Sequence, residues 1–513
     1  MVTYILRRLL LMIPTLIGIT FVVFMLIALS PGGIGAGLLV SGGAMQSQSQ
    51  IAIQKAKLED RYGLNEPAIV QYGRWLGRVS PIKFGRRDLV SPSGELITRP
   101  RPVPTPAVWR WFADELPRAT PLAPEWAAER FGDKPDDEKA RAFRRIEGDY
   151  VEARARVVAA QAMLADALKT YAEELGDGSL LNSKREARIG AIERTTPDRT
   201  LKSFAEVERH GRAAIDAYGA AAQARLRYIA AMGHAPFPQA GVGIIPGVVS
   251  IAWPDLGIAF SRGRPVINLI AEALPVTLML NLIAFPIIYL VAIPSGMAAA
   301  TRKGTFVDVG LGGLYLALFS IPAVLAGVLL QGFMANPDYL NAFPTAGLSS
   351  KGHDAFRMLP GTDFTGAWHR GWLMDRVWHI VLPVACLVYA SFAVISKQTR
   401  AAMLENFNAD YVRTAKAKGV APRDVILRHV FRNSLLPLIT MAVTIFPAML
   451  AGSVVIEKIF TVPGMGLLLI EAINLRDREL ILANAAMIAV VNLCALLLAD
   501  ILYALADPRI TYR

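Results

Sequence analysis

Apolar and polar residues are segregated along this chain into long apolar runs and one long polar interval. Six apolar runs of about 20 residues are long enough to cross a hydrocarbon core: Leu9–Leu29, Leu274–Ala300, Val309–Met334, Ile380–Ser396, Leu435–Val455 and Ala483–Leu505. The first follows Arg7 and Arg8, as a signal peptide would, but the run is long and no small-x-small cleavage site follows, so a retained span is expected. Prolines punctuate the runs at Pro14, Pro275, Pro286, Pro294, Pro322, Pro383, Pro437 and Pro447. Each removes a backbone donor, and such kinks suit a moving bundle better than a rigid anchor.

The pattern changes between the first and second runs. Phe143, Tyr150, Val157, Leu164 and Tyr171 recur with a heptad period, and Ile146, Ala153, Ala160 and Ala167 fill the alternate seam over about four heptads. At 1.5 Å per residue this helix is on the order of 60 Å long, and Gly176-Asp177-Gly178 ends it. A second stretch lines up Phe204, Val207, Ile215, Tyr218, Ala222, Leu226 and Ile229, closing near Gly233. An antiparallel helical hairpin is the economical reading. Ahead of it, Ile51–Val79 reads as two short amphipathic helices around a turn at Gly63–Pro67, and Pro100–Pro121 as an extended proline-rich linker.

Composition agrees with a membrane class: 53% of the residues are hydrophobic and 19% charged. The net charge of +12 does not point to nucleic acid, because the basic residues sit beside the apolar runs. Arg7 and Arg8, then Arg302 and Lys303, then Lys397, Arg400, Arg413, Lys416, Lys418, Arg423, Arg428 and Arg432, then Arg509 and Arg513 fall on one side of a six-span chain. The positive-inside rule makes that side cytoplasmic, with both termini there and the long polar interval outside. Cys386 and Cys494 lie within apolar runs and imply no disulfide framework.

The basic loop Asp410–Pro437 is too charged to face lipid and has to meet something in the cytosol. Asp410 is placed to cap a first helix, and the Gly419-Val420-Ala421-Pro422 stretch separates it from a second piece. The small alanines would let another protein approach closely. The segment Asp410-Tyr411-Val412-Arg413-Thr414-Ala415-Lys416-Ala417-Lys418-Gly419, followed by Arg432-Asn433-Ser434-Leu435-Leu436-Pro437, resembles the cytoplasmic coupling loop of bacterial ABC-importer permeases of the dipeptide/oligopeptide branch. Against the general E-A-A-x-x-x-G form only Ala415 and Gly419 match, with Arg413 in place of the glutamate, so the branch-specific match carries the weight. "YILRRLLLMIPTLIGITFVVF", "EALPVTLMLNLIAFPIIYLVAIPSGMAAA", "GSVVIEKIFTVPGMGLLLIEAINLRDREL" and "ADILYALADPRI" resemble other parts of that branch in the same order. Only about residues 80–250 fall outside the likeness. Gln71-Tyr72, Trp75-Leu76 and Asp255-Leu256-Gly257 resemble the two sides of one branch motif, so the hairpin is expected as an insertion of about residues 100–240.

The resemblance implies an all-α membrane protein with six transmembrane helices and an inserted extracytoplasmic helical hairpin. The parts would be an N-terminal helix over 1–30, an extracytoplasmic region over 31–270, and a five-span core over 271–513 with its coupling loop at 397–433. It further implies a second homologous permease, two cytoplasmic ATPase subunits that carry the ATP and Mg, and an extracytoplasmic solute-binding protein. Asp410, Tyr411, Arg413, Ala415, Ala417, Lys418 and Gly419 would couple to the ATPase. Glu457, Pro463, Gly464 and Asp500 are candidates for the pathway or gate, although a carboxylate such as Asp500, near the cytoplasmic end, is expected to be partnered structurally by a neighbouring arginine.

No catalytic residue, metal or bound cofactor is expected on this chain. No Walker A pattern, H-E-x-x-H or G-x-S-x-G occurs, and His210, His234, His353, His369, His379 and His429 are scattered. The solute is expected to be a peptide or related small molecule, with nickel chelates or sugars as alternatives. A membrane-anchored scaffold that recruits a partner through the hairpin is the alternative from another class. A reporter fused after residue 180 is expected to register outside the cell membrane and one after residue 408 inside; a cytoplasmic signal from the first would overturn the six-span reading.

Overall fold

The structure, a computed structural model, describes residues 2–29, 48–63, 66–92, 94, 96–182, 187–245, 247–350, 352, 358–362 and 368–506. The Arg509 and Arg513 charges and His353 lie outside the described residues. Two compact units emerge: a spanning unit made of Met1–Gly33 with Leu256–Arg513, and an inter-span unit made of Ile34–Asp255.

The chain opens with α1 (Val2–Leu29), an apolar helix that carries Pro14. The inter-span unit follows with α2 (Gln48–Tyr62), α3 (Ala68–Val79), β1 (Ile82–Phe84), β2 (Leu89–Val90) and β3 (Leu96–Ile97). The hairpin helices are α4 (Asp136–Leu175) and α5 (Phe204–Met232), and β4 (Val242–Ile245) and β5 (Val249–Ile251) close the unit. Acidic Asp136, Asp137 and Glu138 in the first turn of α4 suit its dipole, and Gly176, left-handed at φ 73°, ends it.

The heptad seam of α4 is the core of this unit: Phe143, Tyr150, Val157, Leu164 and Tyr171 are all buried. On α5 the expected Phe204, Val207 and Ile215 are buried, together with Gly211, Ala214, Ala221, Tyr228 and Ala231. The expected Tyr218, Ala222, Leu226 and Ile229 stand off that seam, only partly buried. The reason is period: Val207, Ala214, Ala221 and Tyr228 repeat every seven residues along one face, with Ala221 packed on Val157, and the partly buried positions fall to its side. Tyr150 and Tyr228 stack at 5.2 Å between ring centroids.

The expected insertion boundaries near residues 100 and 240 do not coincide with a break in packing. Ala56 of α2 packs on Ala155 and Val158 of α4. β1 pairs with β5 and β5 with β4, joining residues before the hairpin to residues after it. The proline-rich strip is extended but not a free linker, since Val103 and Val108 are buried against the hairpin. Hairpin and flanks share one core.

A buried polar layer fastens α2 to α4. Tyr150 donates to Asp60 Oδ2 at 2.6 Å, the Arg101 amide donates to Asp60 Oδ1 at 3.0 Å, and Glu59 faces Arg154 at 3.8 Å. Arg154 is 3% exposed, with Nε and Nη1 unpartnered among the described residues.

In the spanning unit, α6 (Val266–Thr301) carries Pro275, Pro286 and Pro294 yet stays one helix of 36 residues. The third apolar run is not one straight span. It forms α7 (Phe306–Phe319) and α8 (Ala323–Leu330), the latter running into a π turn over Gln331–Ala335, with an 87° bend where Pro322 interrupts the helix. α9 (Trp372–Phe407) is followed by the short α10 (Asp410–Ala417), α11 (Arg432–Ile459), α12 (Met465–Asn474) and α13 (Arg478–Ala506). Among the described residues, α1, α6, α9 and α13 are long and apolar enough to cross a membrane, and the bent α7–α8 pair is a further candidate.

The packing axis of this unit is α6 against α9. Leu280, Ala284, Ile288 and Ala292 interlock with Val384, Leu387, Val388 and Ile395. At Gly296 the helices nearly touch, since a Cβ there would lie 2.5 Å from the Ser396 carbonyl and 2.7 Å from Thr399 Cβ.

Burial pushes the Asp60 carboxyl above its ordinary value, opposed by the hydrogen bond from Tyr150. The folded chain therefore holds that proton to higher pH than the unfolded chain. This group favours folding below the usual carboxylate range, and the contribution is lost as pH rises through the raised value. Tyr150→Phe takes a donor from the charged form and is expected to destabilise the inter-span unit by about 1.5–3 kcal/mol near neutral pH. The loss should shrink as pH falls. Thermal unfolding across pH checks this, and a pH-independent loss would assign the effect to packing alone.

Candidate functional site

At one end of the bundle α10 stands apart from the long helices. Ala409, in extended backbone, takes the N-cap position with no side-chain cap, so Asp410 is not the expected cap. It lies in the first turn, 97% exposed, where its charge suits the helix dipole, and pairs loosely with Arg413 at 3.6 Å. The far end is a Schellman motif: the Gly419 amide donates to Lys416 O and the Val420 amide to Ala415 O. Gly419 is left-handed at φ 74°, which is why glycine suits that position. Pro422 then opens the next helical piece, and a π turn over Val425–Phe431 leads without a break into α11.

One face of α10 is fastened down. Val412 and Ala415 are buried in a cluster with Ala300 of α6, Met403 of α9, and Val425 and Val430 of the π turn. Ala415 therefore does not offer closeness to a partner, as expected from its size; its smallness lets α10 lie against the bundle. The opposite face is open: Tyr411, Arg413, Lys416, Ala417, Lys418 and Gly419 are exposed. Tyr411 donates to Asn406 Oδ1, and the Asn406 amide donates to Ser434 Oγ at 3.1 Å, so α9, α10 and α11 are joined by one chain of hydrogen bonds. The exposed ridge is basic and has Ala417 at its centre.

The gate candidates divide into two places. Glu457, fully buried, accepts from Thr277 Oγ1 of α6 at 2.7 Å and from the amides of Gly466 and Leu467 at 2.6 and 3.2 Å. Thr277 Oγ1 accepts in turn from the Met465 amide at 2.8 Å. The carboxylate thus holds the first turn of α12, satisfying amides that a helix start leaves unpaired. Gly464 sits against it, where a Cβ would lie 2.5 Å from Glu457 Oε2 and 2.6 Å from Thr277 Oγ1. Asn484 of α13 is buried beside them and donates to Met465 O at 3.0 Å. Pro463 is exposed at the turn.

Asp477, just before α13, accepts from the Ser261 amide and hydroxyl at 2.8 Å each, and burial raises its carboxyl above the ordinary value.

Asp500 is not part of this cluster. It lies towards the opposite end of α13, where Arg8 of α1 meets it at 2.9 Å. At the turn between α6 and α7, Asp308 is gripped in two-point fashion by Arg400 of α9, at 2.6 and 2.8 Å, and accepts from the Gly304 amide at 2.9 Å. Thr277, Asn484 and Asp308 went unnoticed in the sequence. For Asp308 a signal existed, since a carboxylate within an apolar run calls for a named partner; nothing in the pattern distinguishes Thr277 or Asn484 from other polar residues in spans. Among the described residues no group of three or more His, Cys, Asp or Glu converges to hold a metal.

Two substitutions separate the faces of α10. Ala415→Arg forces a charged side chain into a closed apolar cluster and is expected to lower the amount of folded chain, whereas Ala417→Arg should leave it unchanged. Size-exclusion profiles of the detergent-purified variants check this, and equal recovery of both would contradict the packing. Gly419→Ala should cost about 1 kcal/mol from left-handed strain alone.

Comparison with known proteins matches residues 292–512 to the binding-protein-dependent transport system inner membrane component family. The chain is 36% identical over 259 residues to the oligopeptide transport system permease protein AppB of Bacillus subtilis (strain 168), covering 50% of this chain and 76% of that one. It is 35% identical over 263 residues to the dipeptide transport system permease protein DppB of the same organism, covering 51% and 76%. With the inner membrane ABC transporter permease protein YejB of Escherichia coli O157:H7 it shares 35% over 259 residues, covering 50% and 68%. Among solved structures, a chain of the inward-facing MetNI methionine ABC transporter overlaps with a TM-score of 0.36 at 13% identity, over 47% of this chain and 98% of that one. An apolar helical bundle with a short basic helix fastened to its end, and relatives of this similarity, place the chain in the binding-protein-dependent transport system inner membrane component family, as an integral inner-membrane permease of the peptide ABC-transporter type.

Proposed function

We propose that this chain is the transmembrane permease subunit of an ATP-driven importer that moves peptides or related small solutes into the cytoplasm. The observation that carries the reading is α10, whose inner face is buried against three helices while its basic outer ridge is left open. A groove on a cytoplasmic ATPase is the natural seat for that ridge. Force on α10 reaches α6, α9 and α11 through Val412, Ala415 and the Tyr411–Asn406–Ser434 chain, without a flexible joint between. The chain itself makes and breaks no covalent bond. ATP and Mg belong to two ATPase subunits, a second homologous permease completes the pathway, and an extracytoplasmic binding protein delivers the solute. In this reading α1, α6, the bent α7–α8 pair, α9, α11 and α13 are the six spans, with both termini cytoplasmic and residues 34–255 outside.

Within that cycle the carboxylates are structural. Glu457 and Thr277 hold α12 at the outer end, Arg400 and Asp308 tie α7 to α9, and Arg8 and Asp500 tie α1 to α13. The moving parts are the helices they join.

Lys416→Glu with Lys418→Glu reverses the ridge without touching the buried face. In proteoliposomes holding the whole complex, peptide uptake per ATP hydrolysed is expected to fall about tenfold or more, the scale of a coupling free energy of about 1–3 kcal/mol. Unchanged uptake at equal protein would overturn the assignment of the ridge to the ATPase.

A further inference from the structure

A cavity of about 560 Å³ opens within the inter-span unit, where the last turn of α5 meets the three-stranded sheet and the β1–β2 connection. That volume falls in the range of small-molecule sites. Leu89, Ile229 and Met232 give it an apolar wall, and Arg86, Arg87 and Arg99 also line it. Arg87 is set in place by the sheet. Its Nη1 donates to the Gly241 carbonyl at 3.0 Å, and a Cβ at Gly243 would lie 3.8 Å from its Cζ and 3.9 Å from its Nε. The guanidinium therefore rests over a stretch of β4 that has no side chain. Arg86 and Arg99 are exposed and have no acidic partner among the described residues.

Charge bookkeeping shows what these arginines lack. Asp88, the acidic residue of the lining, does not answer them, because the charged groups its carboxylate faces are Asp255, Lys83 and Arg61. The C-terminal end of α5 supplies roughly half an elementary negative charge. Against three guanidinium groups, an excess of roughly two positive charges is left at the cavity. We propose that the cavity binds a phosphomonoester, with the phosphate among Arg86, Arg87 and Arg99 and the organic part against Leu89, Ile229 and Met232. A phosphomonoester carries about −1.5 to −2 at pH 7 and so matches the excess, whereas a carboxylate supplies a single charge. The planar guanidinium fork also offers paired N–H groups to two phosphate oxygens at once. Every lining residue belongs to the inter-span unit, so the proposal does not rest on the importer reading.

The phosphate could come from a soluble ester or from a lipid headgroup, and the test separates the two. Isothermal titration calorimetry uses the full chain in an uncharged detergent, with phenyl phosphate, dihexanoyl phosphatidic acid and benzoate as probes. Phenyl phosphate is expected to bind with a Kd of about 1 mM or tighter. Binding should weaken at least tenfold in the double variant Arg86→Gln with Arg99→Gln. It should weaken as much in Gly243→Leu, which changes no charge and pushes Arg87 aside, so the two variants do not share one folding risk. Arg144→Gln with Arg145→Gln, which removes the same charge from the exposed face of α4, should leave binding unchanged. Binding of phosphatidic acid alone, lost in the same two variants, would uphold the site and assign the phosphate to a lipid. Absence of heat with both phosphates would overturn the proposal. Equal weakening by the α4 variant would mean an adventitious ion only, and benzoate binding as tightly as phenyl phosphate would make the site one for carboxylates; either result overturns it.

Discussion

Val412 and Ala415 are the contact on which the rest depends. A helix of eight residues has too few backbone hydrogen bonds to persist alone in water. It exists here because those two side chains are buried among Ala300, Met403, Val425 and Val430, and because Gly419 closes its end. Burial of the inner face is what leaves Arg413, Lys416 and Lys418 displayed in a fixed array on the other. The same contact that folds the helix fastens it to the helices beneath.

The two ends of the spanning unit are connected through α6 and α11. α6 supplies Thr277 to the Glu457 cluster and Ala300 to the cluster under α10, positions about 35 Å apart along one helix. α11 runs from Ser434, bonded to Asn406, to Glu457 itself. The prolines of α6 leave it as one continuous rod, and Gly296 presses that rod against α9. A carboxylate taken up by a hydroxyl and two amides is an anchor, and it ties α11 to α6 and to the start of α12. The sharp bend lies elsewhere, between α7 and α8 at Pro322.

The inter-span unit obeys different physics. Its hairpin is held by Phe143, Tyr150, Val157, Leu164 and Tyr171 of α4 packed against Phe204, Val207, Ala214, Ala221 and Tyr228 of α5, and its base by a sheet that joins residues on either side of the hairpin. Asp60, Tyr150, Glu59 and Arg154 form a buried polar layer between α2 and α4. Excising only the hairpin would expose that layer and the alanine contact at Ala56, so the unit behaves as one body.

By itself the sequence determined whatever depends on local pattern. Runs of about 20 apolar residues mark spans because the bilayer sets their length. A heptad of Phe143, Tyr150, Val157, Leu164 and Tyr171 marks a buried seam because a helix repeats its face, and all five are buried. The Gly419–Pro422 break shows in the residues because left-handed backbone and a missing donor are properties of those residues. The resemblance of the Asp410–Pro437 segment to a coupling loop was legible for the same reason. Only the tertiary structure decided which face of a short helix is inside, since Ala415 and Ala417 look alike in sequence and differ only in what lies against them. It alone decided that Glu457 meets Thr277, that Asp308 meets Arg400, and that the third run bends, because each depends on a neighbour far away in the chain. The three-stranded sheet belongs to the same class. Its strands are too short to announce themselves, and their register is set by pairing across more than 150 residues of intervening chain.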